Sequence, residues 1–184
     1  YAWDVLNEYI HRSNAAEAAT WVSVYGDMGL KPTYVKAAFE YAYDELKKEN
    51  VQDKVTLFYN DYDTYFSVDD ELALISYINE GEKAKICGGI GMQSHVDIKR
   101  PTLEEYGNAL KAFINAGLEV QITELDITIN FDTDETDGRT PTYAYKNEKE
   151  TDADQAAFTK DFIKQIVDIQ KNRDKAKSPK GITG

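Results

Sequence analysis

A chain of 184 residues with 42% hydrophobic and 29% charged side chains is long enough for a domain with its own core and has ordinary globular composition. A formal net charge of −12 argues against a nucleic-acid backbone as partner, and no run approaches the roughly 18 apolar residues that would cross a membrane. The single cysteine, Cys87, excludes an internal disulfide but not secretion, and its apolar neighbours predict a small buried hydrophobe.

Residues 1–8 read as a strand ending in Asn7-Glu8. Trp3 shares a strand face with Val5 by the two-residue period, which predicts core packing, and Asp4 is predicted as an ordinary buried ion-pair member. The chain opens inside this strand pattern without an initiator Met, which predicts a start in mid-fold. Residues 9–31 read as a long loop, punctuated by Gly26, Gly29 and Pro32, with a helical turn over Ala15–Thr20. His11 is a loop residue with no assigned role, and Trp21 either lines a cleft or packs beneath the loop.

Helical spacing of Val35, Ala38, Phe39, Ala42 and Leu46 predicts a helix over 33–49. A strand follows at Lys54–Tyr59, with Asn60-Asp61-Tyr62-Asp63 as its loop. Ser67-Val68-Asp69-Asp70 has the form of a capping box opening a helix that buries Leu74, Ile75 and Ile78 and ends at Gly81. Ile86–Gln93 is a Gly-rich strand with Ser94-His95 at its end. Pro101 to Glu105 starts a helix with a second capping box and a stripe of Leu103, Tyr106, Leu110 and Phe113, stopped by Gly117.

A central strand is predicted over 118–127, then a polar loop over 128–151. The acidic cluster of that loop, Asp132, Asp134, Glu135 and Asp137, lacks the ligand spacing of a calcium loop, so neither a metal nor another cofactor is expected. The last helix spans 152–172 with Phe162, Ile163, Ile166 and Ile169 inward, and Gly181 to Gly184 is the approach to another strand.

Strands alternating with helices imply a parallel sheet with right-handed crossovers. The expected class is α/β, specifically a (β/α)8 barrel. A closed barrel needs eight units and about 250 residues, and this chain supplies about four, leaving two open strand edges.

Glu124 stands in the apolar run Val120-Gln121-Ile122-Thr123-Glu124-Leu125-Asp126-Ile127. A carboxylate buried there needs partners or a raised pKa. An ordinary structural ion pair would supply them. A second strand-end glutamate, Glu8, turns attention to the two-carboxylate chemistry of glycoside hydrolysis, placed where barrel enzymes keep their active sites. Four strand ends carry polar groups in sequence order: Asn7 and Glu8, Asn60 and Tyr62, Gln93 and His95, Glu124 and Asp126. Thirteen tyrosines and two tryptophans suit a sugar cleft and a core equally.

Trp3-Asp4-Val5-Leu6-Asn7-Glu8, Tyr59-Asn60-Asp61-Tyr62, Gly89-Ile90-Gly91-Met92-Gln93-Ser94-His95 and Ile122-Thr123-Glu124-Leu125-Asp126 resemble the ends of strands four to seven of the family 10 glycoside hydrolases. The resemblance implies a retaining endo-β-1,4-xylanase on a (β/α)8 barrel, with residues 1–184 forming the C-terminal part of the catalytic domain and the first three strands and the last missing. It implies Glu8 as general acid/base and Glu124 as nucleophile. Asn7 would bond the 2-hydroxyl of the sugar next to the cleaved bond, Gln93 would line the same subsite, and Asn60 is a further substrate contact. Tyr62 would meet the sugar on the leaving-group side. His95 would contact both substrate and Glu124, with Asp126 fixing the imidazole from behind.

Xylan or xylo-oligosaccharides are the implied substrates, with no nucleic acid, no membrane and an extracellular place of action. The remainder of the barrel is the implied partner, and attached carbohydrate-binding modules stay open. Asp63 departs from the family, which has a second Asn at this position, and so bears on the aglycone side. Two rival readings stand beside this one: a non-catalytic carbohydrate-binding relative or inactive fragment, and a metal-dependent isomerase on the same barrel. The paired glutamates count against the first, and the lack of a second His in the four motifs counts against the other.

Overall fold

The computed structural model describes residues 1–11, 22–129 and 151–184. The predicted turn at Ala15–Thr20, Trp21 and nearly all of the 128–151 loop, including its acidic cluster, lie outside the described residues. In chain order the elements are β1 (Ala2–Asn7), α1 (Val22–Tyr25), α2 (Thr33–Lys48), β2 (Thr56–Asp61), α3 (Val68–Ile78), β3 (Gly89–Met92), β4 (His95–Asp97), α4 (Leu103–Asn115), β5 (Glu119–Ile122), β6 (Asp126–Thr128), α5 (Asp152–Asn172) and β7 (Ile182–Thr183).

Strands β1, β2, β3, β5 and β7 form one parallel sheet in sequence order. The predicted alternation is therefore realised, and the segment after Pro179 already pairs with β5. Each crossover returns a helix to the same face. There Leu57, Tyr59, Ile90, Met92 and Val120 meet Val35 and Phe39 of α2, Leu74 and Ile78 of α3, Leu110 and Phe113 of α4, and Phe162 of α5. Cys87 is buried in this layer, as its apolar neighbours predict. Among the described residues no helix is long and apolar enough to cross a membrane.

Several local expectations are corrected. The strand predicted over 118–127 is two pieces. β5 ends at Ile122, and Asp126–Thr128 leaves the main sheet to pair with β4 in a separate two-stranded ladder. The partner strand breaks at the same level, at Ser94, whose backbone is left-handed (φ 66°). Asn60 and Asp61 belong to β2 rather than to the loop after it. Ile163 is 42% exposed, so the inward stripe of α5 centres on Phe162 and Ile166. Trp3 is half exposed, near the start of β1, an edge strand of the sheet. Asp4 is exposed and has no ion-pair partner among the described residues.

The second capping box is built as predicted, Thr102 accepting from the Glu105 amide at 3.2 Å and Glu105 accepting from the Thr102 amide at 2.8 Å. The first is not. Ser67 precedes α3 but makes no side-chain cap, and its hydroxyl instead donates to the Asp63 carbonyl at 3.4 Å and to Glu71 Oε1 at 3.2 Å.

Glu71 is fully buried against the sheet, and its Oε2 has no hydrogen-bond partner among the described residues. Burial first, then the charge of Asp61, pushes its carboxyl well above the usual carboxylate range, against the opposing Ser67 bond. The folded chain therefore holds this proton more tightly than the unfolded chain, whose value is about 4.3. The associated stability is present below that pH and is lost as pH rises towards the folded value. Glu71→Gln is expected to remove this loss, so that the variant at about pH 8 is at least as stable as the parent. Urea unfolding at about pH 5 and about pH 8 checks this, and an equal pH dependence in both proteins would contradict it.

Candidate active site

The face of the sheet turned away from the helices begins with a defect in β1. The β1–β2 register shifts between Asp4 and Leu6, so one extra residue, Val5, stands in β1. Without this bulge the two-residue period would place Asn7 with Trp3 on the helix side. With it, Leu6 pairs Tyr59 and Asn7 pairs Asn60, which puts Asn7 on the open face. Glu8 follows with a left-handed backbone (φ 60°), and its amide still bonds the Asn60 carbonyl at 2.9 Å. Ser94 and Asp63, at the ends of the next two strand motifs, are also left-handed. A non-glycine residue in that region costs of order 1–3 kcal/mol, and such residues cluster where side chains must be aimed.

Seven of the predicted residues form one connected network. Gln93 Nε2 donates to Glu8 Oε1 at 2.7 Å and to Asn7 Oδ1 at 3.2 Å. Asn60 Nδ2 donates to the same Asn7 oxygen at 2.9 Å and to Glu124 Oε1 at 3.1 Å. Two side-chain amides thus join one glutamate to the other through Asn7. The other Glu124 oxygen lies 3.4 Å from His95 Nε2, and His95 Nδ1 lies 2.8 Å from Asp126 Oδ2.

His95 and Asp126 are direct partners in the β4–β6 ladder. Glu124 and Asp126 therefore reach one imidazole because the chain breaks between β5 and β6, and not because they share a face of one strand. Burial pulls the His95 pKa down, but the bond and charge of Asp126, together with Glu124, outweigh it and raise the value above the ordinary one. Glu124 itself is 45% exposed rather than buried, since it stands past the last ladder pair at the mouth. Its charge, after partial burial, is the second cause that raises Asp4.

Tyr62 stands beside this network. Its amide donates to Asp61 Oδ1 at 2.8 Å and its ring stacks on His11 with centroids 3.9 Å apart. Sequence reasoning missed His11, which carried no motif signal. It also missed Thr123, whose hydroxyl donates to Asn60 Oδ1 at 2.8 Å and so fixes which end of that amide faces Glu124.

The role of Gly91 was legible only as composition. A Cβ there would fall 2.3 Å from Asn60 Oδ1 and 3.0 Å from its Cγ, so the glycine makes the space in which Asn60 lies. In a polypeptide with the whole barrel, Gly91→Ala is expected to displace Asn60, loosen Asn7 and Glu124 together, and lower any kcat/KM by about 10–100-fold while the protein still folds. Steady-state kinetics alongside a thermal melt checks this, and full activity in a folded variant would exclude the role.

Parallel α/β units with two glutamates joined across the strand ends form part of a parallel barrel with a carboxylate pair at its mouth. The chain belongs to glycosyl hydrolase family 10, whose family model matches residues 1–177, and it carries part of a (β/α)8 barrel. It is 48% identical over 132 residues to endo-1,4-beta-xylanase A of Butyrivibrio fibrisolvens, covering 72% of this chain and 31% of that protein. It is 33% identical over 145 residues to the endo-1,4-beta-xylanase of Geobacillus stearothermophilus, covering 77% of this chain and 41% of that one. A solved GH10 endoxylanase from sugarcane soil metagenome superposes with a TM-score of 0.64 at 26% identity, over 89% of this chain and 45% of that chain. The chain thus spans less than half the length of these relatives.

Proposed function

We propose that the chain acts within a longer barrel as a retaining endo-β-1,4-xylanase on xylan and xylo-oligosaccharides. The observation that carries this reading is the unbroken path Glu8–Gln93–Asn7–Asn60–Glu124. It holds the two carboxyl groups as a pair with different surroundings. Glu124 accepts from Asn60 and lies against a histidine held by Asp126, which fix the carboxyl group where the nucleophile must stand. Glu8 is the acid that protonates the leaving oxygen and then, as base, activates water. Asn7 Oδ1 accepts two donors, which leaves its NH2 group directed to a sugar hydroxyl. Gln93 and Asn60 line the same subsite, and Tyr62 meets the sugar on the leaving-group side.

Xylan is a polymer too large to enter a cell intact, which supports an extracellular place of action. A polypeptide with the whole barrel is expected to release reducing ends from xylan, with the product first appearing as the β-anomer by NMR. The carboxyl groups should lie about 5–5.5 Å apart in the complete barrel. Binding of xylan without cleavage would favour the non-catalytic reading, and a first product of inverted configuration would remove the nucleophile role. The 184-residue chain expressed alone is expected to associate through its open β1 and β7 edges and to leave xylan uncut.

A further inference from the structure

His11 lies three residues beyond Glu8, in the loop that leaves β1, and its surroundings are built rather than incidental. Its Nδ1 donates to Asp61 Oδ1 at 2.7 Å. Asp61 has no solvent exposure, so the ring is tied to a group that cannot move with the surface. The same carboxylate is held from every side. Its other oxygen accepts from Tyr59 OH and, at 3.1 Å, from the Ile10 amide, and its Oδ1 also accepts from the Tyr62 amide at 2.8 Å. Tyr59 OH in turn accepts from the Ile10 amide at 2.8 Å. Asp61 therefore fixes the backbone on both sides of the contact: Ile10 ahead of His11, and Tyr62 itself.

The two rings then stack nearly in parallel, 3.9 Å between centroids and 25° between planes. Burial lowers the imidazole's pKa, but the bond to Asp61 and the charges of Asp61, Asp63 and Glu8 together raise it above the ordinary value.

Position tells which sugar this serves. Tyr62 follows directly on Asp61, the last residue of β2, two residues beyond Asn60 of the open face. Its stacking partner His11 lies within reach of the Glu8 charge, whereas His95 and Asp126 stand against Glu124. The proton donor must adjoin the leaving oxygen, so a ring beside Glu8 and away from Glu124 faces the departing sugar.

We propose that His11 is a positioning residue for the leaving-group sugar, holding the Tyr62 ring at the angle at which a xylosyl residue packs on it. This rests on the function proposed above. It makes no direct claim on the bond-breaking step, because His11 acts through Tyr62.

The test uses a polypeptide with the whole barrel and two substrates. Xylotetraose must place a sugar on Tyr62 to be cut in the middle. β-Xylobiosyl fluoride loses only fluoride and needs no sugar there. His11→Ala is expected to lower kcat/KM on xylotetraose about tenfold, mostly in KM, and to change the fluoride reaction less than about twofold. His11→Phe keeps a ring beneath Tyr62, and Asp61 retains its other donors, so the ratio between the substrates should recover. His11→Asn keeps a donor for Asp61 without the ring, and the ratio should not recover.

Equal losses on both substrates would reduce His11 to a structural residue and overturn the proposal. So would an unchanged ratio in His11→Ala, or recovery by Asn in place of Phe. A parent protein inert towards both substrates would overturn the assigned function and this inference with it, and that result appears before any variant is made.

Discussion

In a polypeptide with the whole barrel, Glu124→Gln is expected to lower kcat on xylo-oligosaccharides by on the order of 10⁴-fold or more, with no comparable loss of stability. Glutamine keeps the shape and can still accept from Asn60 Nδ2, now 3.1 Å away, but it cannot form a glycosyl ester with the sugar. The fold should tolerate the change because the side chain is 45% exposed and stands beyond the last ladder pair of β5. Two secondary readings come with it. Burial and then the charge of Glu124 raise Asp4, so the Asp4 carboxyl should titrate lower in the variant. The charges of Asp126 and Glu124 help to raise His95, so the imidazole should also titrate lower. Both are measurable by NMR. Retention of more than about 1% of parental kcat would mean that Glu124 is not the nucleophile.

Glu8→Ala is expected to behave differently according to the leaving group. With xylotetraose, whose leaving sugar needs a proton, kcat should fall by about 10²–10⁴-fold, the usual contribution of a general acid. With an aryl xylobioside carrying a good leaving group, the glycosyl-enzyme should still form and accumulate, because only its hydrolysis needs the base. Added azide needs no deprotonation and should restore turnover, giving a β-glycosyl azide. Rescue that yields the α-azide would exchange the roles of Glu8 and Glu124. The variant also removes the acceptor of Gln93 Nε2, which keeps its second bond to Asn7 at 3.2 Å, so the rest of the path should survive the substitution.

The placement of these residues together was legible in the sequence because each was read at the end of an apolar strand run, and a parallel sheet collects those ends on one side. Asn7, Glu8, Asn60, Gln93, His95, Glu124 and Asp126 were all reached in this way. What the period could not provide was direction. Counting by two from Trp3 puts Asn7 on the wrong face, and only the bulge at Val5 corrects it. The His95–Asp126 contact was implied by the family resemblance, and in the structure it comes from a break in the strand predicted over 118–127 that moves both residues into the β4–β6 ladder.

By itself, the sequence determined the α/β class, the helices with their stops, the second capping box and the two glutamates. These follow from local pattern: hydrophobic period, caps and strand ends depend on neighbours within a few residues. The tertiary structure alone decided that Gly91 opens space for Asn60, that Thr123 orients that amide, that Glu71 in the first turn of α3 is a buried acid bonded by Ser67, and that His11 belongs beside Tyr62. Each of these depends on atoms brought together from different strands or across the sheet-to-helix layer. Such distances are set by register, twist and packing, and no spacing along one chain encodes them.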